Sequence, residues 1–517
     1  MKQPVRHSVH HIHAVLIGIC LVAVLLRLYH VWAATAISPD GALFIEFARR
    51  MGGDLLSAVR SYEQHPLYPL LLWLAHAPMR LFVNEGPNAW IRAGQAVALI
   101  GSLAAILGMY WFGKRLYGPR RGLIAAAMLA LLPDACRLGG DVLTDMPHLA
   151  LYLFGLASVL TGLRFCKSRF FLLAAIFAGL AFLTRPEGGA VLPVGIAGCF
   201  VLRNVKLSKR ILTALGMCLV FFCVVGPYQC ATGKFVPKKP LNEMLDVSRG
   251  ALPERNMFET RIVVGDRAGG DANSVRQAAN LFVPVDVLYQ WFRAGRVVYI
   301  LLALFGLYAA RPVGRKALVL GMAAGIHVLL LHVLEYRYGY LDRRHALVLA
   351  TLSLPLAAVG TWRLARLIVE RFGHSTNGER IRAVVGVICA CVGMTSHWMF
   401  SPINQQDAFV VAGARWLAAN SPEGSPVVSD SRMRRVALYA DRPFVEWRWW
   451  NGQVRYLAEC LKAHPNGYFV VNPKKMTCPE RNPQFFEDLS KRFGDRLELV
   501  HTERFDGSEM RIYRYQE

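Results

Sequence analysis

Acidic and basic side chains recur where the apolar runs of this chain end, and their types point to one kind of chemistry. Asp40 stands a few residues past the first apolar run, in "SPDGALFIEFAR". Tyr62, Glu63 and His65 follow in "YEQHPLYPLLLWL". Asp141 and Asp145 lie in "GGDVLTDMPHLAL", and Arg185 and Glu187 in "LTRPEGG". Lys234, Lys238 and Lys239 come in "YQCATGKFVPKKP", and Arg337, Arg343, Arg344 and His345 in "EYRYGYLDRRHALVL". A carboxylate can take the proton of a hydroxyl as it attacks. Negative charge near an anomeric carbon stabilises an oxocarbenium-like transition state. Arg and Lys can hold the charge of a departing phosphate, Arg through its planar fork of donors. These are the parts needed to move a sugar from a lipid phosphate to an acceptor hydroxyl. Plainer readings stand beside that one. Thr144 or Asp145 could cap the helix that Pro147 opens, and the basic residues could meet anionic lipid headgroups.

Such residues need elements that hold them at a membrane surface, and the composition supplies these. Of 517 residues 54% are hydrophobic and only 18% charged, with a mean hydropathy of +0.32. That points away from an ordinary soluble enzyme and toward a chain that lives mostly in lipid. Apolar runs near 14–33, 88–112, 122–138, 147–165, 170–184, 188–202, 211–228, 290–310, 316–334, 345–367 and 382–400 predict about eleven spans. The first is long enough to be an anchor and has no clean cleavage site after it.

Lys and Arg number 59 against 35 Asp and Glu, a formal charge of +24. Placing the N-terminus in the cytoplasm makes every alternate loop basic, including "GKRLYGPRRG", "RFCKSRF", "RNVKLSKR" and "RPVGRK". The positive-inside rule therefore accounts for much of the charge, and no nucleic-acid partner is expected. Segments 34–87, 229–289 and everything from about 401 then face outward, to the periplasm or its equivalent. Loop 34–87 reads as two amphipathic helices in the interface, with Tyr62–His65 between them.

From 401 to 517 the pattern changes. "SPVVSDS", "GYFVVNP", "LELVHTERF" and "EMRIYRY" alternate like short strands, while "QDAFVVAGARWLAAN", "QVRYLAECLKA" and "PQFFEDLSKRFG" have helical spacing. The expected organisation is a polytopic helical membrane unit over 1–400 and an exported α/β domain over 401–517. Cys460 and Cys478 both fall in that domain and could pair. Asp40, Glu63 and His65 could hold a divalent metal ion, although their spacing is not diagnostic. "HSVHHIH" reads as a cytoplasmic flank.

In order and spacing, these motifs resemble a GT-C glycosyltransferase, of the group that includes protein O-mannosyltransferases and aminoarabinose transferases. The resemblance runs over roughly residues 14–400 and rests on "SPDGALFIEFAR", "YEQHPLYPLLLWL", "GGDVLTDMPHLALYLFGLA", "LTRPEGG" and "YLDRRHALVL". It implies a polyprenyl-phosphate sugar donor and a glycan, lipid or protein acceptor among the membrane lipids. Asp40 would be the general base, with Asp145 and Glu63 as catalytic partners and Asp141 supporting them. Tyr62, His65, Arg185, Lys234, Lys238, Arg337, Arg343 and His345 would bind substrate. Gln64 departs from the pattern, since relatives often carry Lys there. "EWRWWNGQV" has tryptophans but lacks the W-W-D-Y-G motif of oligosaccharyltransferases. Trp447, Trp449 and Trp450 are expected to pack the domain or face the membrane interface. A transporter or flippase of lipid-linked sugars is the alternative class. It should show related halves and acids at mid-membrane, whereas the acids here cluster at one face. A non-catalytic scaffold on the same fold is a third class, and the retained Asp40 argues against it.

Overall fold

Prolines and glycines divide the apolar runs into elements of unequal length. The structure, a computed structural model, describes residues 4–202, 204–233, 272–310, 314–338, 341–372, 376–447, 454–473 and 482–516. Lys234, Lys238, Trp449, Trp450 and Cys478 lie outside the described residues, as does the side chain of Arg337. Among the described residues eight helices are long and apolar enough to cross a membrane. They are α1 (Pro4–Ala33), α5 (Pro87–Tyr117), α8 (Asp145–Phe165), α11 (Leu207–Thr232), α12 (Ala272–Ala310), α13 (Arg315–Tyr338), α14 (Leu347–Arg371) and α15 (Asn377–Met399).

The other three expected runs form shorter helices: α6 (Pro119–Leu131), α9 (Ser168–Phe182) and α10 (Val191–Phe200), of 13, 15 and 10 residues. At about 1.5 Å per residue none covers a hydrocarbon core of about 30 Å alone. Pro133 explains the first: it holds Leu132 extended, ends α6, and starts the separate one-turn helix α7 (Pro133–Leu138). Pro186 likewise parts α9 from α10.

The first loop folds as three helices rather than two: α2 (Pro39–Met51), α3 (Leu55–Ser61) and α4 (Leu67–Met79). Gly52 and Gly53 end α2, and Asp54 caps α3 by accepting the N–H groups of Leu56 and Ser57 at 3.0 and 3.1 Å. Within the bundle α5 and α8 approach closely at Gly101, where a methyl group would stand 2.7 Å from the Pro147 backbone. Arg27 is fully buried in α1 and donates to Ser102 Oγ at 2.9 Å and to the Ala130 carbonyl at 2.5 Å. That polar staple ties α1 to α5 and to the end of α6.

After α15 come α16 (Ala408–Asn420), α17 (Arg434–Ala440), α18 (Val454–Lys462) and α19 (Asn482–Phe493) around a five-stranded sheet. Its strands are β1 (Val427–Ser429), β2 (Phe444–Glu446), β3 (Tyr468–Val471), β4 (Leu497–Phe505) and β5 (Ser508–Tyr515), in the order β2-β1-β3-β5-β4. β1 pairs parallel with β2 and β3, while β5 pairs antiparallel with β3 and β4. The alternation predicts which side each residue faces. Val427, Tyr468, Val470 and Ile512 pack under α16 and α17. Val428, Phe469, Val471 and Tyr513 pack under α18 and α19. Trp447 is buried against Phe469 and Phe485, so it packs the core. Cys460 lies half-buried on α18.

Candidate active site

Asp40 is delivered by the start of α2. Pro39 suits the first helical position, and Ser38 before it is extended. Ser38 is gripped from the bundle: its N–H donates to Asp141 Oδ1 at 3.1 Å, and its hydroxyl donates to Asp141 Oδ2. Asp141 also accepts the Val142 N–H at 2.7 Å. Burial raises the Asp141 carboxyl above the usual carboxylate range, and these hydrogen bonds work against that rise. Gly41 lets α2 lie directly on this turn, since a methyl group there would stand 3.0 Å from the Cβ and carbonyl oxygen of Val142.

From this position Asp40 lines a cavity of about 280 Å³ together with Ser38, Asp134, Arg137, Asp342, Arg343, Arg344 and Asn404. Arg344 Nη2 donates to Asp40 Oδ2 at 2.6 Å. Arg343 turns the other way, to Asp134 at 3.5 Å, and Arg296 of α12 reaches the same carboxylate at 3.2 Å. Burial raises the Asp134 carboxyl, against the pull of Arg343 and Arg296. Arg137, at the end of α7, has its guanidinium under the influence of Arg343, Asp134 and Asp141, while its carbonyl accepts the Gly140 N–H at 3.0 Å. A cavity holding Asp40 beside Arg137 and Arg343 offers a proton acceptor and anion-binding groups at one place.

A second group of polar side chains packs behind Arg344. Asp145 is the first residue of α8 and pairs with Arg185, which also holds Glu187 at 3.2 Å. Thr144 precedes the helix without a side-chain cap, so the local role of Asp145 is this ion pair. His148, His327 and His345 line the same pocket. His345 Nδ1 accepts the Asp342 N–H at 3.2 Å, which leaves the proton of a neutral ring on Nε2. Burial, with Arg185 and Arg344 nearby, pushes the His345 pKa down to about 4. Its ring therefore adds no positive charge at neutral pH.

Of the residues expected from the sequence, Asp40, Arg343 and Arg344 share the cavity, and Asp145, Arg185 and His345 stand behind it. The Tyr62–His65 segment goes elsewhere. Tyr62 stacks on Phe47 at 4.5 Å and donates to Glu46 at 2.8 Å; Glu63 is exposed; His65 is buried against Phe182 and Tyr228. The expected metal set of Asp40, Glu63 and His65 is thus not brought together. Among the described residues no group of three or more His, Cys, Asp or Glu side chains fits a metal ion. Asp134, Arg137 and Asn404 were missed as site residues. The signal for the first two was Pro133, which ends the apolar run read as continuous over 122–138 and turns "PDACRL" into a rim helix. An apolar groove of about 380 Å³ runs between α12, α13 and α14, lined by Trp291, Leu304, Leu320, Val328, Leu349 and Leu356 among others. Its lining includes Leu349 in the first turn of α14, five residues after Arg344.

Residues 64–228 match the family of dolichyl-phosphate-mannose-protein mannosyltransferases. No relative is found among curated protein sequences. Among solved structures, ArnT from Cupriavidus metallidurans bound to undecaprenyl phosphate is 15% identical, with a TM-score of 0.59 over 96% of this chain and 97% of that one. The Archaeoglobus fulgidus oligosaccharyltransferase AglB, in complex with an inhibitory peptide and a dolichol-phosphate, is 13% identical, with a TM-score of 0.57 over 97% of this chain and 74% of that one. The same enzyme in complex with Zn and sulfate gives 13% identity and a TM-score of 0.56 over 97% and 73%. The chain therefore has the GT-C fold of these membrane glycosyltransferases, which agrees with the resemblance read from its motifs.

Proposed function

We propose that this chain is a membrane glycosyltransferase that moves one sugar from a polyprenyl-phosphate donor to an acceptor hydroxyl. The observation that carries this is the shared cavity, in which Asp40 faces Arg137 and Arg343. The acceptor oxygen attacks the anomeric carbon while Asp40 takes its proton. The bond from that carbon to the phosphate oxygen breaks, and the electron pair leaves with the polyprenyl phosphate. Arg343 and Arg137 hold the phosphate charge as it develops, and Lys234, Lys238 and Arg337 are further candidates for that contact. Arg344 orients the Asp40 carboxylate, and Asp145, Arg185 and Glu187 line the pocket behind it. Attack opposite the leaving phosphate inverts the anomeric centre. The groove between α12, α13 and α14 suits an isoprenoid chain whose phosphate end lies in the cavity. What the dolichol-phosphate and undecaprenyl phosphate complexes hold is consistent with such a donor.

The basic loops that alternate with the outer segments along the sequence support an orientation with the N-terminus in the cytoplasm. The site and the C-terminal α/β unit would then lie on the outer face of the inner membrane. No step is assigned to a metal. The test is mass spectrometry of envelope glycolipids, glycans and glycoproteins from cells with and without the gene, complemented with wild type or Asp40→Asn. A sugar lost with the gene, restored by wild type and not by the variant, is the expected result. Restoration by Asp40→Asn would overturn the assignment of the base, and an unchanged sugar profile would overturn the transferase.

A further inference from the structure

The C-terminal unit reaches into the segment that delivers Asp40. Arg435 of α17 has a side chain only 3% exposed, and its Nη1 donates to the Ile37 carbonyl at 3.0 Å and to Asp407 at 2.9 Å. One turn later the Tyr439 hydroxyl accepts the Ile37 N–H at 2.9 Å. Both polar groups of Ile37 are thus taken by one short helix of the other unit. Asn404 Nδ2 donates to the Ala36 carbonyl at 3.0 Å, and the Thr35 N–H donates to the Ile403 carbonyl at 3.3 Å. The next residue, Ser38, is taken by Asp141 from the bundle. Pro39 and Asp40 follow at once.

We propose that Arg435 and Tyr439 are positioning residues: from the C-terminal unit they fix residues 35–38 and so set where the Asp40 carboxylate stands. The inference rests on the reading of Asp40 as the proton acceptor. Two features set these contacts apart from docking alone. They converge on a single residue, Ile37, three before Asp40, and they use a buried ion pair, whose desolvation is costly unless geometry is well defined. Ion pairs that dock α2 to the C-terminal unit also exist, such as Arg49 with Asp441 at 3.3 Å, but that pair lies at the far end of α2 and is half-exposed. A base held from one side only would keep its chemistry but lose its placement, and displacement of about 1 Å can cost roughly a hundredfold in rate. The site is then composite, with its acid on the bundle and part of its alignment supplied by the soluble unit.

The test uses the full chain in lipid nanodiscs. Tyr439→Phe removes one hydroxyl, and the double variant R435M/D407N removes the buried pair without stranding either charge. Amide hydrogen exchange is read over residues 35–48, and exchange near Ile37 should quicken roughly tenfold in each variant. Sugar product per folded protein should fall roughly ten- to a hundredfold, while binding of undecaprenyl phosphate stays within about twofold of wild type. Unchanged exchange in both variants overturns the proposal. Faster exchange with wild-type product per folded protein also overturns it, because that outcome leaves docking as the only role. Wild-type chain that forms no sugar product refutes the transferase reading instead, and the exchange result then still decides whether α17 holds the segment.

Discussion

Arg343 and Arg344 are neighbours in sequence with separate partners. Arg344 meets Asp40 at 2.6 Å, while Arg343 meets Asp134 at 3.5 Å in the same cavity. Removing Arg344 should therefore lower turnover with little change in donor affinity, and removing Arg343 should do the reverse. Hydrogen bonds to charged groups contribute about 1.5–3 kcal/mol, so each loss should be roughly ten- to a hundredfold. Binding of undecaprenyl phosphate to Arg343→Ala and Arg344→Ala, measured beside their product yields, separates the two. Arg344→Ala binding as weakly as Arg343→Ala would reverse the assignments. His345 gives a pH prediction. Its pKa falls to about 4 in the folded chain against an ordinary value of 6.5, so the unfolded chain binds the extra proton between those values. Its contribution is present above pH 6.5 and is lost as pH falls toward 4. Thermal melts of wild type and His345→Gln between pH 4 and 7 should show a flatter acid slope for the variant; parallel slopes would mean that His345 is not held neutral.

At the scale of elements, what could be read in the sequence follows from how each element is stabilised. Long spans were legible because burial in lipid demands apolar runs, and β1, β3, β4 and β5 were legible because both sheet faces alternate visibly. α17 and β2 were not. A seven-residue helix reading "RRVALYA" begins with two arginines whose partners, Glu46, Glu446 and Asp407, are distant in sequence. Three-residue β2 is too short to show a period. Asp134 and Arg137 were hidden inside a run whose break depends on one proline. Asp40 was legible because it follows directly on the end of the first span, but its partner was not: Arg344 rather than Arg343 is fixed only by how the 341–346 turn is folded. The seat of α2 makes a further prediction. Gly41→Ala places a methyl group 3.0 Å from Val142 and pushes α2 off the turn that carries Asp141. Overpacking of this kind costs about 1–3 kcal/mol, so the melting temperature should drop by a few degrees and product yield more steeply. A variant with wild-type stability and yield would show that α2 can shift without moving Asp40.

Across the whole molecule, α2 carries two acids with different duties. Asp40 faces the cavity, whereas Glu46 accepts from Tyr62 at 2.8 Å, Arg50 at 3.0 Å and Arg434 at 2.8 Å. Arg434 belongs to the C-terminal unit, and its side chain, 9% exposed, also meets Glu446 at 2.9 Å. Glu46 is therefore a joint between the helical bundle and the α/β unit, and its six-residue distance from Asp40 puts it on another face of the helix. Glu46→Ala leaves Arg434 with one carboxylate fewer in a largely buried place, at a cost of about 1–3 kcal/mol. It should lower the melting temperature in nanodiscs while product per folded molecule stays near wild type. Asp40→Asn should give the opposite pattern, with an unchanged melting temperature and no product. The pair of variants thus separates the chemistry of the cavity from the assembly of the two units. Loss of product in Glu46→Ala at full stability would place Glu46 in the active site instead.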